Sequence, residues 1–79
     1  MEGKKHNKSI FVKGLDYYWN KAKIEEIFWD FGEIKSSFIV KKDGQSIGRA
    51  SITFFTWEAA EEAIKEMNGK RIEGRTLTV

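Results

Sequence analysis

Cysteine is absent from these 79 residues, and histidine occurs once, as His6. A domain this short builds only a small core and often needs disulfides or a structural metal as staples. Neither staple is available here, so apolar packing has to carry the fold, and 41% hydrophobic residues can supply it. The same absences leave no cysteine nucleophile, no histidine set among acid–base partners and no metal-ligand cluster, and no glycine-rich phosphate loop is present. The sequence therefore reads as a binding module that carries no cofactor and is not an enzyme. No run approaches the roughly 20 apolar residues of a membrane span. Residues 1–8 carry Lys4, Lys5 and Lys8 with no apolar stretch behind them, unlike a secretory signal. A soluble chain without membrane contact is expected, its lack of cysteine compatible with a reducing compartment.

What is present is periodic. Ile24, Ile27, Phe28 and Phe31 fall at the i, i+3, i+4, i+7 spacing of one helix face. Asn20 precedes them as an N-cap, and Gly32 follows where a left-handed terminating residue is expected. Trp19, just before the cap, is placed to staple onto Ile24. Ala60, Ala63, Ile64 and Met67 repeat the spacing, with Thr56 as cap and Asn68-Gly69 as the stop. The other apolar segments alternate with period two, as half-buried strands do. Ile10 and Val12 alternate with Phe11 and Lys13, and Ala50, Ile52 and Phe54 alternate with Arg49, Ser51 and Thr53. A strand over residues 34–42 runs into Asp43-Gly44, a hairpin turn signal, and a last strand is expected over 75–79. The order is β-α-β-β-α-β, an α+β, ferredoxin-like arrangement.

The net charge of +2 is unevenly distributed: the two helical segments hold three lysines against seven acids, while the rest holds eleven basic residues against five acids. With both helices on one side of the sheet, the other side, its loops and the N-terminal arm become the basic side, as a phosphate-tracking surface requires.

Local motifs narrow the fold to a family. Ile10-Phe11-Val12-Lys13-Gly14-Leu15 resembles the RNP2 hexamer of the RNA-recognition motif, with Gly14 where that family usually has Asn. Ile47-Gly48-Arg49-Ala50-Ser51-Ile52-Thr53-Phe54 aligns with its RNP1 octamer. Phe31-Gly32-Glu33-Ile34, Ala59-Ala60-Glu61-Glu62-Ala63-Ile64, Met67-Asn68-Gly69 and Gly74-Arg75-Thr76-Leu77 are similar to the family's first helix–strand link, second helix and closing strand. The resemblance covers residues 9–79 and implies a single domain there, behind a basic arm at 1–8. It also implies a four-stranded antiparallel sheet in the order 4-1-3-2 with two helices on one face. Ending at Val79, the chain reads as a piece of a longer protein.

The departures bear on function. In the family, one RNP2 aromatic and two RNP1 aromatics stack on bases. Phe11 holds the first position, but Arg49 and Ser51 stand at the other two, and Ile47 replaces the leading basic residue. Stacking contributes about 1–3 kcal/mol per base, so two missing rings forfeit about 2–6 kcal/mol. Arg49 can stack on a base or pair with a phosphate, or simply be a solvated strand residue. Phe38 is the other candidate. In the family register Ser36, Phe38 and Val40 lie on the open face, and Phe38 and Phe11 flank the strand bearing Arg49 and Ser51. A bulge would reverse this phase and bury Phe38, and Ser37 at a nominal core position raises that alternative.

The expected RNA-binding set is Phe11, Lys13, Phe38, Val40, Lys41, Lys42, Arg49, Ser51, Thr53, Arg75, Thr76 and Thr78, with Arg71 a further phosphate contact. The expected ligand is single-stranded RNA, the expected state a monomer, and the resemblance implies an intracellular place, the nucleus before the cytoplasm. The alternative is a protein-interaction module of the same fold, using Phe11, Phe38, Val40 and Ile47 or the tryptophans Trp19, Trp29 and Trp57.

Overall fold

The computed structural model describes residues 7–79. The basic arm expected at 1–8 thus lies outside the described residues, save for its last two. Of these, Lys8 immediately precedes the first strand, and its carbonyl accepts the Phe54 N–H at 2.8 Å.

Three strands form the main sheet in the order β1-β3-β2: β1 (Ser9–Lys13), β2 (Ile34–Lys42) and β3 (Gln45–Phe54), all antiparallel. The β2–β3 hairpin turns at Asp43 and Gly44 with φ of 53° and 80°. Positive φ at both central residues is the signature of the turn whose twist matches the flanking strands.

Helix α1 (Lys21–Phe28) is capped by Asn20, whose Oδ1 accepts the Lys23 N–H at 2.9 Å. Helix α2 (Trp57–Met67) is capped by Thr56, whose Oγ1 accepts the Ala59 N–H at 3.2 Å. Each cap contributes about 1 kcal/mol by satisfying an otherwise orphaned donor. Helix α1 is shorter than its apolar period suggests, because the chain tightens into a single 3₁₀ turn over Trp29–Phe31. Phe31 still packs against the core from that turn.

Gly32 is not the left-handed cap the sequence suggested. Its φ and ψ are 157° and 170°, and a Cβ there would sit 2.6 Å from the Ala59 Cβ on α2. The positive φ and the close approach of α2 each demand glycine at this position. Gly32→Ala is expected to destabilise the domain by about 1–3 kcal/mol, measurable as a lower urea midpoint with an unchanged slope.

Both helices pack on one face of the sheet. Ile10, Val12, Ala50, Ile52 and Phe54 from the strands meet Ile24, Phe28, Ala59, Ala60, Ala63 and Met67 from the helices, closed by Leu15 and Leu77. Trp19 packs against this cluster at the foot of α1, as a staple does, and Lys23 lies over its ring at 5.9 Å. Lys23 also pairs with Glu73, tying α1 to the C-terminal turn, and that hydrogen bond raises its ammonium above the ordinary value.

The fourth strand is reduced from the one expected over 75–79. The chain instead makes a small hairpin of β4 (Arg71–Ile72) and β5 (Arg75–Thr76), then touches β1 at a single bridge between Lys13 and Thr78. The bridge has two backbone hydrogen bonds, of 2.7 and 3.0 Å. Lys13 pairs with Arg49 on its other side, so the 4-1-3-2 order survives, with the fourth strand held at one residue pair. The cause is the tight turn at Glu73-Gly74, which spends residues 71–76 on pairing with each other.

Candidate nucleic-acid interface

The face of the sheet away from the helices is built by alternation. Because Ile10, Val12, Ala50 and Ile52 point into the core, their neighbours point outward. Strand register then sorts the outward residues into rows. Ser9, Thr53 and Ser36 share one row, in which the Ser9 and Thr53 hydroxyls lie 2.8 Å apart. Phe11, Ser51 and Phe38 share the next, and Thr78, Lys13 and Arg49 the third.

The middle row is the aromatic one. Phe11 is 65% exposed and Phe38 57%. Both stand directly opposite Ser51, on strands either side of it, so their backbones lie about 9–10 Å apart. Ser51 is only 6% exposed although it belongs to the open face. A small side chain between two large ones is covered by them. Its hydroxyl makes no hydrogen bond among the described residues.

The bulge that threatened Phe38 does exist, but it flanks the residue without inverting it. Register shifts fall between Ile34 and Ser36 and between Ile39 and Lys41, leaving the segment between them in regular phase. Ile39 accordingly packs toward the core. The Ser37 hydroxyl, on the helical side, donates to Glu25 of α1 at 2.6 Å. That bond removes the objection to a serine on the inner face.

Val40 sits within the second irregularity and is half-buried. Between the pairs Ile39–Ala50 and Lys41–Ser46, one residue of β2 faces three of β3. Gly48, with φ of 77°, makes that distortion possible. Lys41 and Lys42 are exposed beyond it, paired in register with Ser46 and Gln45 near the hairpin tip.

The third row is cationic. Lys13 and Arg49 face each other directly across β1 and β3, and neither has an acidic partner among the described residues. Like charges directly opposite are destabilising, so the fold gains nothing from this pairing. Thr76 and Thr78 are exposed on either side of the buried Leu77. Arg75 is partly committed elsewhere: its Nε donates to the Gly14 carbonyl at 3.3 Å and its Nη2 to the Leu15 carbonyl at 3.2 Å. Arg71 is exposed on β4.

Three exposed aromatic residues escaped the sequence reading: Phe55, just past β3, and two tyrosines. Tyr17 and Tyr18 lie in the loop between β1 and α1, 63% and 95% exposed. No period marks them, and only their position beside a helix cap distinguished them. The tryptophans lie elsewhere: Trp29 is exposed after α1, and Trp57 lines a recess on α2 with Glu58, Glu61, Glu62, Ile64 and Lys65. That recess has an acidic rim and is unsuited to phosphate.

Known proteins share this architecture. The Rna15 RNA recognition motif with bound GU RNA superposes with a TM-score of 0.80 at 20% identity, over 91% of this chain and 79% of that one. RNA recognition domains 1 and 2 of Sex-lethal from Drosophila melanogaster give 0.84 at 24% identity, over 91% and 47%. In sequence, glycine-rich RNA-binding protein 10 of Brassica napus is 41% identical over 71 residues, which is 87% of this chain and 42% of that protein. The chain thus spans less than half of that relative. The family model described as RNA recognition motif matches residues 10–78. The chain belongs to the RNA recognition motif family.

Proposed function

We propose that the domain binds single-stranded RNA on the open sheet face, by a rearranged platform. Phe11 stacks on one base from the RNP2 position. Phe38, on β2, offers the second stacking surface where the RNP1 positions carry Arg49 and Ser51. Lys13 and Arg49 take phosphate, with Lys41, Lys42, Arg71, Arg75, Thr53, Thr76 and Thr78 at the margins of the track. The carrying observation is the row Phe11–Ser51–Phe38, two half-exposed rings held in register beside an unneutralised cationic pair. RNA named in the relatives supports the same ligand class. No step of bond chemistry is involved: the domain acts as a binding module, and an intracellular setting, nucleus before cytoplasm, fits such a ligand.

The cationic pair gives this reading its test. Arg49→Glu places opposite charges across the strands, expected to hold or raise stability by about 0.2–1 kcal/mol. Binding is expected to move the other way, because a phosphate contact is lost. Each such contact contributes roughly 0.7 to the slope of log affinity against log salt for a single strand. Anisotropy titrations of short randomised single-stranded RNA at several salt concentrations measure both affinity and slope, and urea denaturation measures stability. Salt-independent binding would remove the phosphate contacts of Lys13 and Arg49, and no binding at all by the wild-type domain would remove RNA as ligand and leave the aromatic face to a protein partner.

A further inference from the structure

We propose that Tyr17 and Tyr18 form a second stacking subsite, which takes an unpaired base of the same RNA strand after it leaves the sheet. The inference rests on the reading of the sheet face as an RNA-binding surface. It starts from the loop that bears the two rings. Leu15 is buried, and its N–H donates to the Gly48 carbonyl at 3.0 Å. Arg75 holds the Gly14 and Leu15 carbonyls. The Asp16 carboxylate accepts the Tyr18 N–H at 2.8 Å, and the Asp16 carbonyl accepts the Trp19 N–H at 3.0 Å. A loop tied this closely presents its side chains in a fixed place, which lowers the entropy cost of binding.

Neither ring belongs to the core. Leu15 and Trp19 anchor the loop on either side, while Tyr18 is almost wholly in solvent. Tyr17 lies against Gly48, where a Cβ would stand 2.8 Å from the Tyr17 Cε1 and equally close to the Leu15 carbonyl oxygen. Gly48 immediately precedes Arg49, so the close approach brings the Tyr17 ring up to the cationic row. Lys13, Tyr17, Gly48, Arg49 and Arg75 line one recess of about 240 Å³. Asp16, Tyr17, Tyr18 and Arg75 line a second beside it. Asp16, the only acid there among the described residues, is engaged by the turn. Charge favours an anionic ligand, and the rings favour a flat one.

Geometry supplies the continuity. Lys13 follows Phe11 by two residues of β1, about 6–7 Å along the strand, and the loop begins directly after it. A single strand stacked on Phe11 and running along β1 crosses the Lys13–Arg49 row and arrives at the tyrosines. Aromatic stacking tolerates any base, so this subsite adds affinity for length more than for sequence.

The test compares a three-nucleotide with an eight-nucleotide randomised single-stranded RNA on the wild-type, Phe11→Ala, Tyr18→Ala and Tyr18→Phe domains. Phe11→Ala is expected to weaken both RNAs. Tyr18→Ala is expected to weaken only the longer, by about 5-fold to 100-fold, with Tyr18→Phe close to wild type and the Tyr18 ring protons shifting upfield on the longer RNA. The exposure of Tyr18 makes a folding failure improbable, and an unchanged amide spectrum verifies it. Full binding of the longer RNA by Tyr18→Ala, while Phe11→Ala is impaired, overturns the subsite and leaves the sheet-face reading standing. That is also the result if the tyrosines serve a protein partner. A wild-type domain that binds neither RNA overturns both.

Discussion

Replacing Phe11 and Phe38 together with alanine is expected to lower affinity for single-stranded RNA by about 30-fold to 10,000-fold, with the fold intact. Each stacked ring contributes about 1–3 kcal/mol, and each 1.4 kcal/mol is a factor of ten. The two rings stand on different strands with Ser51 between them, and each offers its own stacking surface, so the sum of two such losses sets the range. Neither belongs to the core, so the amide spectrum of the double variant is expected to keep its dispersion. Anisotropy titration measures the loss, and the two single variants divide it. An equal loss from each makes Phe38 a full replacement for a missing RNP1 aromatic. A loss from Phe11 alone returns Phe38 to the status of an exposed strand residue. Wild-type affinity in the double variant would remove the stacking platform altogether.

How much of this was legible in the sequence depends on how local the determining physics is. Both N-caps, the Asp43-Gly44 turn and the bounds of β2 follow from side-chain chemistry within a few residues, and the structure has them where the pattern put them. The fourth strand was overestimated, because Thr76 and Thr78 alternate with Leu77 and Val79 as a strand should, while Glu73-Gly74 turns part of that segment back on itself. Gly32 was legible as a glycine ending the first helix, and its φ is positive though not left-handed helical; the other half of its constraint comes from Ala59, 27 positions away, which no local pattern reveals. The same holds at the site. Phe11 is legible from its motif, whereas Phe38 depended on where two bulges fell. Tyr17 and Tyr18 gain meaning only when the loop is seen beside Gly48 and Arg49. Arg75 read as a free cation because the carbonyls it holds, those of Gly14 and Leu15, are distant in the chain.

Of the six phenylalanines, Phe11 and Phe38 stand on the open face whereas Phe28 and Phe54 are fully buried, and Phe54→Ala is expected to show what a buried ring contributes. Phe54 is fully buried at the end of β3, where it packs among the helices and close to Gly32. Truncating such a ring costs about 3–5 kcal/mol in lost transfer energy and cavity. A 79-residue domain has about 4–12 kcal/mol in total, so between about a quarter and all of the margin goes. With a urea slope of about 1–3 kcal/mol per M, the midpoint is expected to fall by about 1–5 M. Ligand linkage separates this loss from the loss at the open face. RNA at 100 times its dissociation constant adds about 2.7 kcal/mol to any folded state that binds it. Saturating RNA should therefore raise the midpoint of the wild type and partly rescue Phe54→Ala, whose binding face is intact whenever it is folded. The Phe11→Ala/Phe38→Ala domain should start from a near-normal midpoint and gain at most about a third as much at the same RNA concentration. Equal gains in all three proteins would mean that the stabilising ligand contact lies elsewhere on the domain, away from the Phe11–Ser51–Phe38 row.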